Sequence, residues 1–148
     1  MDINNNDISN LFSFVDTVIP SIDEMPSASE VISKEDLVWI LENNIKYIDP
    51  IKDFLSFVKK EPASRVVGGI QELNDDHRIE ILNLMESVMP VQFNLFIEVI
   101  YLLYYSKENV HEIIGWNSDE LSDENKMKPF DKTILEKVSK REPFWKQV

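Results

Sequence analysis

Apolar residues recur along this chain at intervals of three and four, the signature of helices with one buried face. Ile8, Leu11, Phe12, Val15 and Val18 predict a first amphipathic helix, with Asp7 as its cap and Pro20 as its stop. Residues 21–33 read as a loop. Ser33-Lys34-Glu35-Asp36 has the spacing of a capping box, and Leu37, Val38, Ile40, Leu41, Ile45 and Ile48 line the helix it opens. Asp49-Pro50 predicts a restart, with the aspartate as cap and the proline at the first helical position. Ile51, Phe54, Leu55 and Val58 continue the stripe until Pro62, and Gly68-Gly69 marks a turn or a close backbone approach.

Asn74 opens the next helix, for which Ile79, Leu82, Met85, Val88 and Met89 are expected inward. From Val91 to Tyr105, 12 of 15 residues are hydrophobic. That run is too short to span a bilayer and holds Gln92, Asn94 and Glu98, so it predicts the buried central helix of a bundle. Ser106 is expected to cap a short helix carrying Val110, Ile113 and Ile114, with Gly115 as its stop. Thr133, Ile134, Leu135 and Val138 suggest one more amphipathic helix. The expected fold is all-α: a compact bundle of about six or seven helices around a central apolar helix at about residues 90–105, with few or no strands.

Composition narrows the chemistry. The chain has 148 residues, no cysteine, two histidines and three glycines. A chain of this length buries about two thirds of its unfolded surface as a single domain and needs no staples. The absent cysteine removes disulfides, thiolate zinc sites and iron–sulfur clusters together. So few glycines argue against a glycine-rich phosphate loop. The net charge of −12 opposes phosphate backbones, so a nucleic-acid partner is not expected. Charge is uneven along the chain. Residues 1–33 carry six acids and no base, residues 71–116 carry eight acids and two bases, and residues 126–146 carry seven bases and three acids. The plain reading of this layout is solvated faces; the sharper one makes residues 117–148 a C-terminal extension that docks onto an acidic surface, of this chain or of a partner. No basic, apolar leader precedes the first helix, which predicts a cytoplasmic location, or a periplasmic one if the chain is exported folded with a signal-bearing partner.

Candidate catalytic sets are sparse. Glu108 and His111 share the Glu-x-x-His spacing of carboxylate-bridged dimetal bundles. The matching second pair is absent, because Asn74 stands three residues before His77. His111 is better read as a polar or cap-like contact. Asp75-Asp76-His77 is what a helix start favours electrostatically. Ser9, Ser13 and Asp16 share a helix, but a serine hydrolase needs a histidine base against the nucleophile. No catalytic, cofactor-binding or metal residue is expected in this chain.

Two blocks resemble a known family. One is Asp16-Thr17-Val18-Ile19-Pro20, followed by Asp23 and Pro26-Ser27-Ala28. The other is the apolar helix ending Tyr104-Tyr105-Ser106, then Val110 and Ile114-Gly115-Trp116. In order and spacing they resemble the gluconate 2-dehydrogenase subunit 3 family, the small subunits of bacterial flavin-dependent sugar and sugar-acid dehydrogenases. The likeness covers residues 8–117, more weakly 129–145. Ser27 stands where the family often has glycine, and many members carry an export signal. The resemblance implies a non-catalytic accessory subunit that binds and stabilises a large catalytic subunit. The FAD would reside in that partner and not in this chain. Expected partner contacts are Ile19, Pro20, Ile22, Met25 and Pro26 in the first loop. Others are Tyr104, Tyr105 and Trp116 at the end of the central helix, and Phe130, Phe144 and Trp145 in the C-terminal stretch. The alternatives are a stand-alone helical interaction or chaperone module without a flavoprotein partner, and, more remotely, a metal-dependent helical enzyme.

Overall fold

The computed structural model describes residues 3–116 and, beyond them, Thr133, a helical residue. The expectations for Phe130, Phe144, Trp145 and the rest of the C-terminal extension lie outside the described residues. The fold is an all-α bundle. Its elements are α1 (Asn5–Phe12), α2 (Val15–Val18), α3 (Ala28–Val31), α4 (Lys34–Asn43), α5 (Ile48–Lys60), α6 (Pro62–Val66), α7 (Asp75–Val88), α8 (Pro90–Tyr105) and α9 (Glu108–Ile113). Short 3-10 turns at Ile45–Tyr47 and Ile70–Glu72 link α4 to α5 and α6 to α7. Among the described residues the only β pairing is one isolated bridge, Ile22 to Met25.

The apolar spacing sets the core. On α5, Ile51, Phe54, Leu55 and Val58 are buried at i, i+3, i+4 and i+7. On α8, Phe96, Val99, Ile100, Leu103 and Tyr104 are buried, and α5 with α8 is the most extensive helix pair. An aromatic stack runs through this seam. Phe54 stacks on Phe96 at 4.2 Å between centroids, and Phe14 meets Phe54 edge-on at 5.3 Å. The helices α2, α3, α4, α7 and α9 also pack on α8, which is thus the central helix the sequence predicts.

Several boundaries differ from the sequence pattern. Asp7 is not the cap of α1. Asn4 is, its side chain accepting from the amides of Asn6 and Asp7, while Asp7 returns a bond to the Asn4 amide. This reciprocal pair satisfies more of the free helix-start amides than a lone aspartate would. The first helix also breaks after Phe12. Ser13 Oγ donates to the Asn10 carbonyl at 2.7 Å, and the turn carries Phe14 into the core before α2 begins. At α5, Asp49 and Pro50 lie inside the first turn and not at its edge. Proline fits there because first-turn amides have no intrahelical acceptor. Ile79 and Val88, expected inward, are exposed, while Ile81, Leu82 and Met85 fill the inner face of α7. Ser106 ends α8, its hydroxyl donating to the Leu103 carbonyl, and does not cap α9.

Other signals read directly. The Ser33–Asp36 capping box opens α4, Asn74 caps α7, Pro90 begins α8, and Pro62 follows the end of α5 but also starts α6, a helix the apolar spacing does not predict. Gly68 and Gly69 have φ of +94° and +150°, and a Cβ at either would meet open space. The pair therefore serves a turn and not a close approach. Three ties clamp the bundle: Lys59 to buried Asp7 at 2.6 Å, Lys107 to Asp36 at 2.7 Å, and Lys34 to the Ser9 hydroxyl at 3.0 Å.

Candidate docking surface

The loop between α2 and α3 is short of regular structure but not of bonds. The Ala28 amide donates to the Ile19 carbonyl at 2.9 Å and closes its base. Within it, Ile22 and Met25 exchange both backbone bonds, at 3.1 and 2.9 Å. The tight turn between them puts Asp23 at φ +52°, the one positive φ outside glycine among the described residues. Non-glycine residues seldom adopt that region, although aspartate tolerates it better than most. The far end is locked by Asp16. Its two carboxylate oxygens accept from the Ser29 amide and hydroxyl, both at 2.6 Å. Ser27 and Glu30 form a capping box at the start of α3.

The central helix supplies the last brace. Tyr104 is fully buried, and its Oη donates to the Pro26 carbonyl at 2.7 Å. Burial pushes the Tyr104 phenol above its usual range, with smaller contributions from Tyr105 and Glu30. The phenol therefore keeps its proton and stays a donor. What the loop leaves free is Ile22, 62% exposed, with Pro20 also exposed. Ile19 and Met25 pack partly against the core, and Pro26 is half-buried.

Beside Tyr104 the end of α8 is aromatic and open. Tyr105 meets Tyr104 edge-on at 5.2 Å and Tyr101 at 6.1 Å. Tyr101, Leu102 and Tyr105 are each close to half exposed. With Asn94, Ile97 and Glu98 they line a shallow groove of about 600 Å³ along α8. Glu98 is held at its edge by Lys46 at 2.9 Å and the Tyr47 hydroxyl at 3.0 Å. Those two bonds hold its carboxyl below the usual glutamate range.

The adjoining α9 extends the same end. A ring nitrogen of His111 contacts the Tyr105 carbonyl, the cap-like role its sequence position suggested. Gly115 at φ +69° closes α9. The Trp116 amide donates to the His111 carbonyl at 2.8 Å and the Gly115 amide to the Glu112 carbonyl at 3.2 Å. That pair of bonds is a Schellman motif. It sets Trp116, 61% exposed, with its ring 6.3 Å from the His111 ring.

The described residues expected to contact a partner are thus linked at one end of the bundle, from the loop through Tyr104 and Tyr105 to Trp116. Their roles divide. Tyr104 is a core residue that positions the loop, while Ile22, Tyr105 and Trp116 present surface. Ile113 and Ile114, expected as apolar residues of the short helix, are exposed there, as is Leu102, and none of the three is among the expected contacts. Ile113-Ile114 directly before a stop glycine was the available signal.

The candidate chemical groups go elsewhere. Ser9 accepts from Lys34, Ser13 bonds the backbone and Asp16 holds Ser29, so these three do not converge. His77 has its amide on the Asn74 cap. Among the described residues no group of three or more His, Asp and Glu side chains is placed to hold a metal ion, and no helix is long and apolar enough to cross a membrane. No family model, curated protein or solved structure matches the chain.

Proposed function

We propose that this chain is a non-catalytic accessory subunit, docking through the loop at residues 19–28 and the open end of α8 onto a large flavin-containing dehydrogenase subunit. The observation that carries the docking part is the Ile22 loop. An exposed isoleucine is held on a loop braced by Asp16, Ile19, Ala28 and Tyr104, and Tyr104 ties that loop to the end of α8 that exposes Tyr105. A surface loop that serves no partner has little use for such rigidity, whereas a pre-ordered apolar contact lowers the entropy cost of association. Large exposed apolar groups gathered at one end mark interaction sites more often than they occur by chance.

The identity of the partner rests on the resemblance of Asp16–Pro20, Pro26–Ala28 and Tyr104–Trp116 to the small subunits of flavin-dependent sugar dehydrogenases. On this reading the flavin and the substrate site belong to the partner, and this chain supports the partner's folding and stability. The test is depletion. Removing the chain from its source cell should lower the steady-state level of one flavoprotein and, with it, dye-linked oxidation of a sugar or sugar acid. Unchanged flavoprotein levels and activity would overturn the accessory role.

A further inference from the structure

We propose that Ile22 is the anchor of this docking surface, and that the partner receives it in an apolar recess rimmed by lysine and arginine side chains. This deepens the docking reading and rests on its surface, not on the flavin.

Three observations carry it. First, the Ile22 amide and carbonyl are both bonded to Met25. The residue has no backbone group to offer a strand edge, so only its side chain is available. Second, that side chain is 62% exposed on a turn that stores an unfavourable backbone conformation at Asp23. Strain of this kind persists where surrounding bonds over-determine the geometry, and it clusters at functional positions. Here the two bonds between Ile22 and Met25, on either side of Asp23, do so. Third, both charged residues of the turn are acidic. Asp23 and Glu24 are exposed, and neither carboxylate has an ion pair or hydrogen bond within the described residues. No basic residue occurs before Lys34, and Lys34 itself is turned to Ser9. On α9, Glu108 and Glu112 are exposed too, and the base beside them in the sequence, Lys107, is bound to Asp36. Covering unpaired carboxylates without counter-charges is costly, so a partner seated over Ile22 must bring cations to its rim.

The test uses the full chain, affinity-tagged in its source cell, with a photo-crosslinking amino acid at position 22 or at exposed Val66 on α6. Position 22 should crosslink to a stoichiometric partner at a peptide containing apolar residues together with lysine or arginine, and position 66 should not. Binding of that purified partner is then measured for the wild type, Ile22→Ser and the double variant D23K/E24K across a salt series. Circular dichroism verifies that both variants keep the helical fold. Ile22→Ser should weaken binding by about thirty-fold or more, as loss of an anchor does. D23K/E24K should slow association and flatten its salt dependence. A crosslink absent from position 22, or unchanged binding by both variants, overturns the inference. A colourless partner whose binding still falls with Ile22→Ser would keep the anchor and remove the flavoprotein. A flavoprotein bound equally by every variant would do the reverse, and a chain that captures no partner removes both.

Discussion

Tyr104 Oη donates to the Pro26 carbonyl at 2.7 Å, joining residues 78 positions apart in the chain. This contact connects the core to the surface. Tyr104 sits on the buried face of α8 among Phe96, Val99, Ile100 and Leu103, while Pro26 belongs to the loop that presents Ile22. The same residue fills the bundle and fixes the shape of that loop.

Tyr104→Phe keeps the ring and removes the donor, leaving the Pro26 carbonyl without its partner. The loss of such a bond costs about 1 kcal/mol. Urea unfolding should show a decrease of that size, and hydrogen exchange should speed up at the Ile22 and Met25 amides while the α5 and α8 amides stay protected. Equal loosening of every amide would mean that Tyr104 acts on the core alone.

The pH dependence of stability follows from Asp7. Burial works against its charge, but the Lys59 bond, the Asn4 amide and the Lys59 charge outweigh it and hold the carboxyl below its ordinary range. The unfolded chain therefore binds this proton at higher pH than the folded one, with an unfolded value of about 4. The contribution is complete above that pH and is lost as pH falls through the folded value. Asp7→Asn should cost about 1–2 kcal/mol at neutral pH, moderated by the partial exposure of Lys59. The gap between wild type and variant should close progressively as pH is lowered below about 4, and urea midpoints measured over pH 2–7 check both statements. Asp36, held low despite burial by Lys107 and the Ser33 amide and hydroxyl, should behave in the same sense.

Phe54 stands between Phe14 and Phe96 at the α5–α8 seam. Phe54→Ala removes a fully buried ring from that stack and should cost about 3–5 kcal/mol. Thermal or urea unfolding measures it. A cost near zero would mean that α5 and α8 are not held together by this seam.

Gly115 tests the end of α9. Its φ of +69° suits glycine, and a Cβ there meets no neighbour, so Gly115→Ala should be penalised only by the backbone, by about 1 kcal/mol. The effect should fall on the amides of Gly115 and Trp116, measured by hydrogen exchange.

The helical layout was legible because helix starts and stops are local. Ser33–Asp36, Asn74, Pro90 and Gly115 each act within one turn of chain, and each was found where its chemistry put it, as was the stop before Pro62 though not the short helix that Pro62 opens. The break at Ser13 was not legible. The apolar interval from Ile8 to Val18 continues through it, and the reason for the turn is tertiary, since it delivers Phe14 to Phe54. The division of labour between Tyr104 and Tyr105 was hidden for another reason. On a helix apolar on nearly every side, periodicity names no inner face, and the tyrosine that is buried is the one that meets the distant Pro26 carbonyl. The docking end was half legible. The loop and the aromatic cluster stood out as separate sequence features, but the bond that unites them spans most of the fold.

We propose that the braced end of this bundle holds a flavin-containing partner. The most direct measurement is to purify the tagged full chain from its source cell and record the visible spectrum and subunit stoichiometry of the eluate. A yellow complex, with one larger subunit per chain and flavin that remains with that subunit when the two are separated, is the predicted result. A colourless chain that elutes alone would contradict it.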